Sequence, residues 1–157
     1  MCGGTAPLEP FALLLTSSAQ LITSLLALLA AESDRKLRQV VASAFAAMML
    51  SRNRQVARRL VHEYRTLPAI IGALRDGFNS DDEELMLMCL AFLINVLRVG
   101  DEEALDDPRG INPYIEPIDW LGAFEIVDPL RSHAYNDAHL AEKANAVSAY
   151  FIPNECE

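Results

Sequence analysis

Few residues in this chain have the type and spacing to do chemistry. His139 and Glu142 fall one helical turn apart with Asp137 close by. A metal needs a second ligand pair or a cysteine cluster beside them, so no metal site is expected. Acidic residues crowd 81–84 and 101–103, at a helix start and in a loop, where no basic or apolar setting would separate their pKa values. His62 beside Glu63 on a basic helix reads as a surface group. The sequence holds no glycine-rich phosphate loop, no G-x-S-x-G and no H-E-x-x-H, the short patterns that would place a nucleotide, a nucleophile or a zinc ion. The expectation is a protein without enzymatic activity, cofactor or catalytic residues. The groups left over suit binding. Arg54 and Arg58 lie one turn apart with Arg59 beside them, a spacing that could hold a phosphate or an acidic segment. Trp120 either anchors a loop to the core or contacts a partner, since Trp is enriched in binding hot spots.

At 157 residues the chain suits one domain over 1–157 with its own core. It is 52% hydrophobic and 22% charged, a globular balance, and its dominant Leu and Ala favour helix. The net charge of −9 argues against a nucleic-acid binder, which needs a basic surface, and allows basic protein or peptide partners. Cys2, Cys89 and Cys156 are odd in number and far apart. They suggest no disulfide framework, and Cys89 in its apolar run reads as a buried thiol in a reducing, cytoplasmic or nuclear compartment.

Residues 11–31 are uncharged and long enough to cross a bilayer. Six polar side chains from Thr16 to Ser24 roughly cancel the insertion gain of the leucines, and the residues before Phe11 lack the Lys or Arg of a secretory signal. The better division cuts at "TSSAQ", where Ser17 and Gln20 form an S-x-x-Q capping box. A short helix at Phe11–Leu15 then precedes one over Gln20–Ala31, expected to be buried on most sides. Membrane association through 11–31 is the minority alternative.

Further helices follow from capping and spacing. Ser33 or Asp34 opens "DRKLRQVVASAFAAMML", and Asn53 opens "NRQVARRLVHEY". Thr66 precedes "LPAIIGALRDG", with Pro68 early and Gly77 as its terminator. Asn79 or Ser80 caps "DDEELMLMCLAFLINVLRV", whose four leading acids suit the helix dipole and whose end is set at Gly100. Residues 101–117 read as an acidic loop around one helical turn at 102–105, with Trp120 fixing it to the core. A shorter helix covers "IDWLGAFEIVDPL", and Asn136 or Asp137 caps "AHLAEKANAVSAYFI". No strand-like alternation of useful length occurs, so the expected fold is all-α.

Two segments repeat one order of features: "QLITSLLALLAAESDRKLRQVVASAFAAMML" and "LPAIIGALRDGFNSDDEELMLMCLAFLINVL". Each has an apolar helix, a polar turn and a longer helix bearing an Ala-Phe pair, Ala44-Phe45 and Ala91-Phe92. The 47-residue offset between the pairs falls within the periods of helical solenoids. A third copy runs through 118–152. On these features the sequence resembles the armadillo repeat family, with units at about 11–50, 53–98 and 118–152. "LPAIIGALRDG" is similar to that family's Gly-x-x-Pro-x-Leu second helix, and "ELMLMCLAFLINVL" to its Ala-x-x-Leu-x-Asn-Leu third helix. Tyr64 or Arg65 stands where the family usually has Gly. The stretch from Leu67 to Arg131 also resembles the armadillo regulatory region of formins, which engages a Rho-type GTPase and an autoinhibitory segment.

The resemblance implies a right-handed α-α superhelix of two to three repeats whose third helices line a concave face. It implies a scaffold or adaptor binding a protein partner there, such as a small GTPase or a segment of its own chain. Asn95 matches the Asn that grips a ligand's extended backbone, a role suited to an amide that both donates and accepts. Nuclear-import adaptors carry Trp four residues earlier, where this chain has Ala91, so import-signal binding of that style is not implied. Met88, Phe92 and Met48 are read as groove or packing residues near Asn95. HEAT-type repeats, a non-repeat bundle, and a small helical ligand-binding domain or enzyme around His133 or His139 remain alternatives. A stack of few repeats also leaves apolar end faces, which suggests a homodimer or a longer parent chain.

Charge is segregated along the sequence. Residues 34–65 carry eight basic side chains against two acids, a net of +6, and residues 81–125 carry twelve acids against two arginines, a net of −10. Either these are separate solvated faces, or they steer or dock partners.

Overall fold

A computed structural model of the chain describes residues 18–31, 34–132 and 138–151. All regular elements among these residues are helical. In chain order they are α1 (Ala19–Ala31), α2 (Arg35–Met48), α3 (Arg54–Arg58, continued by a π-helical turn at Arg59–Glu63), α4 (Leu67–Ser80), α5 (Glu83–Leu105), α6 (Ile115–Trp120), α7 (Ala123–Ser132) and α8 (Ala138–Ser148). The expectations on Phe11–Leu15, Ser17, Ser33, His133, Asn136, Asp137, Cys2 and Cys156 concern residues outside those described.

Helices α2, α3 and α5 start where short polar side chains satisfy the free N–H groups of a first turn. Asp34 accepts from the Lys36 and Leu37 amides, and Asn53 accepts from those of Gln55 and Val56. The cap of α5 is Asp82, neither Asn79 nor Ser80. Its carboxylate accepts from the Leu85 amide at 3.2 Å and the Gln39 amide nitrogen at 2.8 Å, and it pairs with Arg35 at 3.2 Å. Asp82 is 3% exposed. One side chain therefore caps α5 and ties it to α2 with a charge whose burial is matched by three partners.

Two glycines expected to end helices lie inside them. α4 runs through Gly77 to Ser80 and closes on Asp81, which takes the left-handed conformation at φ 60°. A Cβ on Gly77 would stand 3.0 Å from Met86 Cγ, so glycine there admits α5 rather than a turn. α5 likewise continues past Gly100 to Leu105, and the Asn112 side chain takes the space where a Cβ at Gly100 would be. The expected loop at 101–117 is accordingly shorter: α5 ends at Leu105 and α6 begins at Ile115. Trp120 does not anchor it, being 87% exposed, whereas Tyr114 is fully buried.

α1 lies against α2, α4 against α5, and α7 against α8; α1 also meets α4, α4 meets α7, α2 meets α5, and α5 meets α8. The two Ala-Phe pairs come together here, with Phe45 and Phe92 edge to face at 6.3 Å between ring centres, a favoured aromatic geometry. Between α1, α2 and α4 sits Arg38, which donates to the Leu29 carbonyl at 3.0 Å and pairs with Asp76 at 3.0 Å. α1 is less buried than expected. Ile22 and Leu29 are fully buried, but Leu21, Thr23, Ser24 and Ala27 are exposed. Among the described residues no helix is long and apolar enough to cross a membrane.

Candidate interaction groove

Helices α2, α5 and α8 border a groove of about 410 Å³, within the size range of ligand clefts. Leu50 and Arg52 enter it from the end of α2, Ala91, Ile94, Asn95 and Arg98 from α5, and Glu142, Lys143 and Ala146 from α8. Helical spacing explains the α5 set: 91, 94, 95 and 98 share one face. Alanine at 91 and 146 keeps the walls low.

Asn95 lies on the α5 wall and is 8% exposed. Its Oδ1 accepts from Arg52 Nε at 3.1 Å, which orients the amide and leaves Nδ2 without a partner among the described residues. Arg52 has φ 53°, a left-handed conformation that disfavours residues with a Cβ. Leu50 offers an apolar contact at 55% exposure. Glu142, the groove's carboxylate, pairs with His139 at 3.2 Å. Tyr150 donates to Asp101 at 2.7 Å. Burial first, and then this bond, push its hydroxyl up to about 12, with Arg98 and Arg52 opposing.

The other basic group predicted from sequence forms a closed corner. Arg54 Nη1 meets Asp106 at 2.7 Å and Nη2 donates to the Glu102 carbonyl at 2.9 Å, and the Asp106 bond raises the guanidinium pKa further. Arg58 pairs with Glu103 at 3.1 Å, and Tyr114 donates to the other oxygen of that carboxylate at 2.9 Å. Burial foremost, then Glu103, raises the Tyr114 pKa. Asn112 completes the corner by donating to the Leu97 carbonyl and to Asp101 and accepting from the Tyr114 amide. The acidic segment that Arg54 and Arg58 were expected to hold thus belongs to this chain, at the end of α5.

The remaining expected site residues divide between surface and core. Phe92 is fully buried and Met48 is 3% exposed; both pack the core and neither lines the groove, because their positions on α5 and α2 face the opposite helix. Met88 is partly buried against the core. Arg59 is half-buried on the π turn, and Trp120 projects outward from α6. Sequence reasoning missed Arg52, Arg98, Lys143 and Leu50. Arg98 was reachable, three residues after Asn95 on the same face. Lys143 needed the register of the third unit, and Arg52 needed the backbone reversal after α2.

Chemistry elsewhere is muted. The Cys89 thiol is fully buried, and that burial pushes it up to about 12, so it stays a protonated, poor nucleophile. Among the described residues no three His, Cys, Asp or Glu side chains gather around one point. No protein-family model matches the chain.

Proposed function

We propose that this protein is a non-enzymatic interaction module, a short armadillo-like α-α superhelix that holds an extended protein segment in the groove across α2, α5 and α8. The observation that carries the reading is Asn95: a nine-tenths buried amide, oriented by Arg52, whose Nδ2 is free of described partners at the wall of an open groove. A donor so placed suits a peptide carbonyl, and removing water from it strengthens the bond it offers. The repeated offset of the packing supports the superhelix, since α1, α4 and α7 succeed one another in one row and α2, α5 and α8 in the other. Ala91 in place of an aromatic leaves room for side chains of the bound segment.

The test is selection from a displayed random-peptide library on the folded protein, repeated on Asn95→Ala and Leu50→Asp variants checked by circular dichroism. Wild-type protein is expected to enrich a family of sequences that both variants lose. Absence of enrichment, or equal enrichment on all three proteins, overturns the reading.

A further inference from the structure

We infer that the segment held in the groove is acidic, an extended polypeptide with Asp or Glu side chains reaching Arg52, Arg98 and Lys143 while Asn95 holds its backbone. This inference rests on the proposed groove function and adds the class of ligand. The whole chain carries −9, which by itself favours basic partners. The groove has the opposite sign. Three cations line it with one carboxylate, Glu142, and that carboxylate is engaged by His139. Arg52 uses its Nε on Asn95, and neither its terminal nitrogens nor Arg98 nor Lys143 have a carboxylate within ion-pair distance among the described residues. Elsewhere Arg35, Arg38, Arg54, Arg58 and Arg131 each have one, and among the described residues the cations without one outside the groove are not gathered around a shared cleft with a buried amide.

Spacing favours a polypeptide over other polyanions. The cations come from three successive segments and flank an amide suited to a peptide unit, not from a continuous basic track such as a phosphodiester backbone requires. Alternate side chains of an extended segment project to the same side about 6.6 Å apart, so acids at every second position can face the groove together. The Nε bond to Asn95 Oδ1 at 3.1 Å holds the Arg52 guanidinium in place, lowering the entropy lost when a carboxylate docks.

The population enriched by the library selection tests the inference when its charge is read and its members are titrated by fluorescence anisotropy. Peptides with net negative charge are expected, with affinity falling as salt rises. Arg98→Glu combined with Lys143→Glu should weaken them roughly tenfold or more. Enrichment of neutral or basic peptides that still depend on Asn95 overturns the acidic ligand and spares the groove. Loss of all enrichment overturns both. A single-stranded oligonucleotide that displaces the selected peptides and binds more tightly would make the ligand a nucleic acid. A change in sedimentation of the unliganded protein on charge reversal would make it a second copy of the chain. Either result overturns the inference.

Discussion

Arg52 and Arg54 are two residues apart and end in opposite circumstances. Arg54, with Arg58, is neutralised at the corner by Glu102, Glu103 and Asp106 from the end of α5. Arg52 faces the groove, where it bonds the Asn95 amide and, among the described residues, has no carboxylate within ion-pair distance. The backbone makes the separation: φ 53° at Arg52 reverses the chain, and Asn53 then caps α3 in a new direction. A basic block and an acidic block that look complementary in sequence are therefore matched only in part. Folding uses the acids of α5 to close one set of arginines and leaves the other set open. The corner's arginines are paired within the chain, and the groove's cations have no carboxylate partner among the described residues.

The sharpest way to break that contrast is Gly100→Ala. Alanine would gain about 1 kcal/mol of helix propensity. It would also overlap the Asn112 amide, whose three hydrogen bonds hold α5 to the segment before α6. At about 1 kcal/mol for each bond, plus strain from the displaced side chain, the loss wins by about 2 kcal/mol or more. Thermal unfolding should show a clear fall in midpoint, while affinity for selected peptides at a temperature where the variant is folded should stay within roughly twofold. Equal damage to affinity would mean that corner and groove form one unit.

Next in size is Glu103→Ala. It removes the partner of both Arg58 and Tyr114 from a side chain only 13% exposed, and about 1–2 kcal/mol of stability should go with it. The more telling result is electrostatic. With that carboxylate gone, Arg58 is left as an open cation, and the corner should gain weak, salt-sensitive binding of acidic peptides. Restoring a carboxylate as Glu103→Asp should suppress it. If the corner stays inert in Glu103→Ala, charge alone does not distinguish the regions, and the groove's shape must account for the difference.

How much of this was legible in sequence varies with the range of the forces involved. Helix content came from spacing and from the caps at Asp34 and Asn53, which are local. The Ala-Phe repeat pointed to Phe45 and Phe92 as equivalent, and they touch. Gly77 and Gly100 were misread because glycine has two uses, a permissive φ and a missing Cβ; which one applies depends on Met86 and Asn112, partners from other segments. Trp120, read from its place after the loop as the loop's anchor, is exposed; Tyr114 is the buried aromatic there, and its hydroxyl reaches Glu103. The family-like pattern of α5 singles out Asn95, which lies on the groove wall. Arg98 shares its helix face, but Lys143 comes from α8, and only the packing of α8 against α5 brings it alongside.

The smallest expected effect separates the two left-handed arginines. Arg52 and Arg65 have nearly the same backbone, φ 53° and 54°, and glycine suits both positions better. Arg65 is exposed and occupies the turn between the π segment and α4, where the armadillo-like pattern would have Gly. Arg65→Gly relieves about 1–2 kcal/mol of backbone strain and loses about 0.5–1 kcal/mol to the flexibility of the unfolded chain, a net gain of about 0.5–1 kcal/mol. That should raise the unfolding midpoint by about 1–3 °C. Arg52→Gly receives the same relief but strips Asn95 Oδ1 of its donor, a loss of about 1–2 kcal/mol, so its midpoint should hold or fall slightly while peptide affinity drops. If both variants are stabilised alike with affinity unchanged, the strain at Arg52 serves nothing in the groove, and the bond to Asn95 is incidental to binding.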